Sequence, residues 1–554
     1  MAAVVVTGSG NRLPWYRRWL TGGILRRQIV TAITLVALVF VLLFTPEVST
    51  TTSSNVQLLP GMTPPTPPGG AGTTVGGVIC SPGVRQVPFS EYAPQCQPKW
   101  TGHNGGPTAP GVTATTINLV YREAATDELA LLYTLLPQSI VGTNDEAIAT
   151  VQKYVDTFNK YFELYGRKVV LVPYQGQGNF INEDTGTGSD AAAADALTVK
   201  TSLHGFVDMS LIDSSVIYTK ALQSQGVISF GLYLQSADFY TQNTPWQFTN
   251  GPNCAKTADA IGSLAGKGMA GHKAGMASEA SLQTKNRTFG IVYPDNPQSA
   301  LCEQLIVKAL ARYGITPKVT VAVPFDISSL ITSSSNAIAQ FQAAGVTTVI
   351  DSSSDPITPI YFLKAATSTG YGPEWLLQSY FAGGANTIDG FVQDDISKAG
   401  ADSLKQGNSI LALGNNSVPR AQQEAIKAFE ESNNGSADGI LPSYPFAYGD
   451  VLYFFDLLQA AGPNLTAANL AGASANTSVL IPSGPGGEMG GWTFGAGMVD
   501  PSSTYQLLRW SNTTISTQNG QPGTFLPCYG GQVFTYTQNG KDVPSTPASC
   551  GGNP

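Results

Sequence analysis

Residues 144–174, NDEAIATVQKYVDTFNKYFELYGRKVVLVPY, hold two hydrophobic periods in succession. Ile148, Val151, Val155, Phe158 and Phe162 recur three or four residues apart, which sets them in one stripe of an amphipathic helix. Asn144 reads as the N-cap, Asp145 and Glu146 suit the positive end of the helix dipole, and Gly166 stops the helix. KVVLVPY (168–174) then reads as a strand.

The same alternation runs outward from this stretch. TINLV (116–120) precedes it as a first strand, and an Ala-rich helix (189–203), a strand (205–212), a helix (214–225) and a strand (227–232) follow. After PWQFTNGP a second series opens, with helices at 254–267, 297–313, 327–344 and 356–369 and strands at 288–293, 316–324, 347–351 and 374–379. Strands alternating with helices of this length imply βαβ crossovers and parallel sheets, so two series imply two α/β lobes, each a doubly wound parallel sheet. A strand at 409–414, a helix at 419–433, a long apolar helix near 448–461 and a strand-rich part at 492–510 must rejoin them. The chain's 554 residues also exceed the ~250–300 at which single cores stop growing.

Only 12% of residues are charged, and the net charge is −8. That balance excludes a protein built to neutralise phosphates, so no nucleic-acid partner is expected. The charges are segregated. Before Glu47 there are only Arg12, Arg17, Arg18, Arg26 and Arg27, and Ile29 to Thr45 carries none. The apolar run suits one transmembrane signal-anchor at 29–45, with the basic stub 1–28 in the cytoplasm and the body outside. The alternative is a cleaved signal peptide and a secreted body, although no A-x-A-like site follows. From Ser49 to Gly77, 21 of 29 residues are Ser, Thr, Pro or Gly, which reads as an extended tether. Together with an irregular cysteine-bearing preface it fills 46–110. The six cysteines, Cys80, Cys96, Cys254, Cys302, Cys528 and Cys550, all follow the apolar run. An even count in an oxidising compartment suggests disulfides, and proximity suggests 80–96, 254–302 and 528–550; a buried free thiol at Cys302 is the alternative.

Catalytic signatures are lacking. The histidines, His103, His204 and His272, are isolated, and there is no H-E-x-x-H, G-x-S-x-G, Walker loop or EF-hand loop. A non-enzymatic binding module without metal or cofactor is the expectation. In open parallel sheets ligands sit beyond the carboxyl ends of strands. Those points hold Tyr121, Arg122 and Glu123; Asp213, Ser214 and Ser215; and Leu232 and Tyr233. In the second series they hold Tyr293, Asp295 and Asn296; Asp351 to Asp355; and Ser379 and Tyr380. Arg122, Glu123, Asp213, Ser214, Ser215, Tyr233, Tyr293, Asp351, Asp355 and Tyr380 are therefore the candidate ligand-binding residues. Ser214 and Ser215 stand out, because hydroxyls at a helix start suit a carboxylate; plain N-capping is the competing role.

GVTATTINLV, the helix-to-strand step with Asn159 and Gly166-Arg167-Lys168-Val169, KNRTFGIVYPDN (285–296) and SYPFAYGDVLYFFDLLQAAG (443–462) resemble the type I periplasmic binding proteins, leucine/isoleucine/valine-binding-like components of ABC transporters. The resemblance implies a type I fold whose two lobes join through three crossings, with lobe 1 at 111–250 plus 386–490, lobe 2 at 251–385 plus 491–510, and a cysteine-bearing tail at 511–554. It also implies a small polar or amphipathic solute trapped by hinge closure, with Ser214 or Ser215 on a carboxylate and Asp351 or Asp355 on an ammonium group. The partner would be an ABC-type permease or, for a receptor ectodomain of the same fold, a signalling membrane protein. Gly231-Leu232-Tyr233 stands where the family has Ser or Thr, leaving room for a larger or aromatic solute.

Overall fold

In the computed structural model the helix Asn144–Tyr161 buries Val151, Tyr154, Val155 and Phe158 against the helix Tyr444–Ala461, with the Tyr154 and Tyr448 rings edge to face at 5.5 Å. Its N-cap is Thr143, one residue before the expected Asn144: the Thr143 hydroxyl accepts from the Glu146 amide, and the Glu146 carboxylate accepts from the Thr143 amide. Asn144 instead ties the helix start to Ala124 through two hydrogen bonds. The structure describes residues 57–550 except 325–326, 354, 356–357, 379–388, 399–406, 416–417, 475–487, 495–498 and 537–538. The basic stub and the apolar run 29–45 lie outside the described residues, among which no helix is long and apolar enough to cross a membrane.

A short hairpin, β1 (Gly72–Thr73) and β2 (Ile79–Cys80), opens the described chain. The first lobe's sheet holds β3 (Thr116–Glu123), β4 (Lys168–Gln175), β5 (Val207–Asp208), β6 (Ile228–Phe230) and β7 (Gln247–Phe248), in the order β4-β3-β5-β6-β7 and parallel throughout. The second holds β8 (Phe289–Pro294), β9 (Val319–Val323), β10 (Thr348–Asp351), β11 (Glu374–Leu377) and β12 (Ile410–Gly414), all parallel. To these β13 (Thr504–Ile515), β14 (Pro522–Pro527) and β15 (Phe534–Thr535) add antiparallel. Each central strand is buried on both faces. Ile291, Ile350, Leu376 and Leu411 join one apolar cluster and their neighbours Val292, Val349, Leu377 and Ala412 the opposite one. Alternation of side chains therefore leaves no polar position inside these strands, only at ends such as Thr348, Asp351 and Glu374, and each strand reads as an apolar run.

Three expectations need correction. The chain does not return to the first lobe at 386: the helix Asp389–Lys398 packs on β14, and β12 pairs with β11 and β13, so the second crossing lies beyond Gly414. Only then do the helices Glu424–Glu431 and Tyr444–Ala461 join the first lobe's core. An apolar strand does not encode which of two sheets it enters. The tail after 510 is no appendage, because β13 runs to Ile515 and β14 and β15 extend the second sheet. The Ser/Thr/Pro/Gly-rich stretch, where described from Gln57, is docked rather than extended. Gly69 donates to the Cys96 carbonyl, the Trp100 indole to the Pro64 carbonyl, and Gln57 bonds Asn464 and Asn469.

The six cysteines pair as proximity suggests, Cys80–Cys96, Cys254–Cys302 and Cys528–Cys550, so Cys302 is not a free thiol. Non-reducing peptide mapping of the exported protein is expected to return these three pairs; any crossed pair contradicts the fold. Replacing Cys254 and Cys302 together by Ala is expected to lower stability in urea by about 2–4 kcal/mol.

Candidate functional site

The carboxyl ends of both sheets face a shared cleft of about 790 Å³, within the ~300–1,000 Å³ usual for small-molecule sites. The first lobe contributes Tyr121, Ser214, Ile217, Lys220, Leu232 and Tyr233, and the second contributes residues 294–299, Pro324 and Asp355. A third wall is a helical strap, Thr126–Leu135 and Gln138–Val141, inserted between β3 and the Asn144–Tyr161 helix. Pro137 separates its two helices, since proline has no amide to continue the first. The strap leaves the first lobe's strand, yet Leu132, Leu136 and Val141 are buried in the second lobe's cluster with Val292, Val323 and Leu330.

Beneath the cleft lies a fully buried ionic node. Arg122 makes a two-pronged pair with Glu183 at 2.8 and 3.1 Å and reaches Asp195 at 3.2 Å and Asp213 at 2.5 Å. Its guanidinium carbon lies 3.7 Å from the Tyr218 ring centroid. Burial opposes its charge, but Glu183 and Asp213 more than offset this and hold its pKa above the ordinary value. Gly176 and Gly178 admit this packing, since a Cβ on Gly176 would stand 2.7 Å from Arg122 and from Asp195. The amides of Gln177 and Gly178 instead donate to Asp195. Glu128 on the strap is buried near this node, and desolvation pushes its carboxyl up to about 7.

The candidate residues therefore divide. Ser214, Tyr233 and Asp355 line the cleft. Arg122, Asp213 and Ser215 are buried below it: the Ser215 hydroxyl accepts from the Tyr218 amide as N-cap of the helix Val216–Ser224 and donates to Glu183 at 2.5 Å. Ser215 thus caps the helix Val216–Ser224, and Arg122, Asp213 and Ser215 all lie outside the cleft lining. Asp355 also caps, accepting from the Thr358 amide and hydroxyl. Asp351 is buried, accepts from the Ser353 amide and is pushed up to about 6 by burial. Glu123, Tyr293 and Asp351 are not in the cleft lining, and Tyr380 lies outside the described residues. Sequence reasoning missed the strap, Glu183, Asp184 and Lys220. Glu183 and Asp184 end a five-residue helix, Phe180–Asp184, too short to show a period.

Tyr233 is held by the long helix of its own lobe, donating to Asp450 at 2.5 Å. Burial pushes Asp450 up to about 7. Among the described residues no group of His, Cys, Asp and Glu could hold a metal ion.

Arg122→Ala, which strands buried carboxylates, is expected to lower stability by about 3–5 kcal/mol in urea, and Arg122→Lys should not restore it, because a point charge cannot form the two-pronged pair. A carboxyl with a raised folded pKa binds its proton more tightly folded than unfolded. Asp450 therefore takes stability away as pH rises from about 4 through about 7. Asp450→Asn should flatten that decline and be more stable than the parent at pH 8; an unchanged pH profile refutes the assignment.

The family model for periplasmic binding proteins matches residues 142–513. No curated protein matches the chain. Among solved structures, a leucine-, isoleucine-, valine-, threonine- and alanine-binding protein from Brucella ovis, in a closed conformation, superposes with a TM-score of 0.52 at 16% identity, over 76% of this chain and 96% of that one. An ABC-transporter solute-binding protein from Rhodopseudomonas palustris HaA2, in complex with p-hydroxybenzoic acid, gives 0.51 at 12% identity, over 76% and 98%. At these identities the likeness is one of fold. The match of the family model over more than half of the sequence, on two α/β lobes around a common cleft, places the chain in the periplasmic binding protein family.

Proposed function

We propose that the protein captures a small-molecule solute between its lobes by hinge closure and delivers it to an ABC-type membrane permease, acting as a binder and not a catalyst. The cleft carries this reading: walls from two lobes enclose a volume suited to a small organic molecule. A solute touching both lobes binds the closed form better and shifts the population toward it by that differential affinity alone. The apolar run 29–45 after five arginines supports a single membrane anchor with the body outside. Ser214 and Tyr233 face the solute from the first lobe and Asp355 from the second, while Arg122, Asp213 and Ser215 hold the first wall in place.

A thermal-shift panel of amino acids, short peptides, amides and aromatic acids tests the reading. A true ligand at a hundredfold excess over its Kd stabilises the native state by about 2.7 kcal/mol and should reduce the radius of gyration in solution scattering. A panel without any response refutes solute capture. With a ligand in hand, Ser214→Ala should weaken binding and leave the unliganded melting temperature unchanged. Ser215→Ala should cost about 1 kcal/mol of stability as a lost cap.

A further inference from the structure

Resting on the solute-capture reading, we propose that the cleft takes an apolar ligand bearing a protonated amine and no carboxylate, and that Asp184 pairs with that amine. Two of the first lobe's means of holding a ligand carboxylate, Arg122 and the Ser215 hydroxyl, are already taken by the chain's own acids. The start of the helix Val216–Ser224 would favour an anion, but the Ser215 hydroxyl there is committed to the Tyr218 amide and to Glu183. Arg122 clasps Glu183 with two nitrogens and also meets Asp195 and Asp213, so one guanidinium faces three carboxylates. After β6, where a hydroxyl would serve a carboxylate, Leu232 has none, and the Tyr233 hydroxyl donates to Asp450.

Among the described residues the cleft lining holds four acidic side chains against one basic one, with apolar surface beside them. Glu183 and Asp184 come from the helix Phe180–Asp184, Asp295 from the loop after β8 and Asp355 from the loop after β10. Lys220, on the helix Val216–Ser224, is the basic residue in the lining among the described residues. Asp184 is accessible at the cleft surface, whereas Glu183 is buried on Arg122. Asp184 keeps a solvent-accessible face, which screens it, so crowding by the surrounding protein and then the charges of Glu183 and Asp355 raise its carboxyl above the ordinary value without isolating it from water. Two carboxylates brought together across a closing cleft repel, and a cation between them turns that repulsion into attraction. Leu129, Leu132, Leu136, Val141, Ile217 and Leu232 supply the apolar surface for the rest of the ligand.

Calorimetric titration of the full-length chain with 4-phenylbutylamine, 4-phenylbutanol, 4-phenylbutyrate and L-phenylalanine tests the proposal. At pH 7.5 the amine should bind at least about tenfold more tightly than the other three. Its affinity should rise up to about tenfold from about pH 6 to about pH 8 as Asp184 ionises while the amine stays protonated. Asp184→Asn should abolish both the preference and the pH dependence without lowering the unliganded melting temperature, and Asp184→Glu should keep the preference. Equal or tighter binding of the acid or the zwitterion, or unchanged amine affinity in Asp184→Asn, overturns the proposal and leaves solute capture standing. Failure of all four probes overturns it as well, and solute capture then stands or falls on the wider panel.

Discussion

Arg122 stands at the carboxyl end of β3 with no exposure to solvent, and a guanidinium placed there costs several kcal/mol unless carboxylates meet it. The partners come from three further stretches of the first lobe: Glu183 from a short helix after β4, Asp195 from the helix Ser189–Thr201, and Asp213 from the turn before the helix Val216–Ser224. One charge therefore ties four segments together. Ser214 and Ile217, which form the cleft surface immediately above, inherit their positions from it. The second lobe uses a smaller version at the opposite end of its strands, where Arg287 pairs with Glu374 at 2.7 Å and Glu374 accepts from the Thr348 hydroxyl.

The alternation of strands and helices was legible because parallel strands buried on both faces write unbroken apolar runs, while the helices between them write stripes. Most expected elements lie within a few residues of the observed ones, as at Thr143 against Asn144. Allegiance of an element to a lobe was not legible: β12 has the same composition whichever sheet receives it. At the site, position along the chain was readable and side-chain direction was not. Because β3 continues to Glu123, Tyr121 and Arg122 point to opposite faces, so only one of them could meet the cleft. Ser214 and Ser215 divide in the same way, one toward the cleft and one inward as a cap.

Composition misled most in the Ser/Thr/Pro/Gly-rich stretch, which is no extended tether where described but packs on the cysteine-bearing preface through Gly69 and Pro64. A segment poor in apolar residues cannot fold by itself, but it can be laid down on a surface that already exists. Tyr92, Val87 and Ala93 enter the first lobe's core, and the Tyr92 hydroxyl bridges the Gly490 carbonyl and the Met489 amide. The Cys80–Cys96 bond closes this region on itself, so its order rests on the lobe it covers and on one covalent link.

The strap belongs to one lobe by sequence and to the other by packing, so it ties the two lobes together along one side of the cleft. Parting the lobes on that side would bare Leu132, Leu136 and Val141 to water, and each such side chain is worth about 1.5–3 kcal/mol of burial. Closure on a solute therefore pivots on the strap side, and the walls away from the strap make the movement.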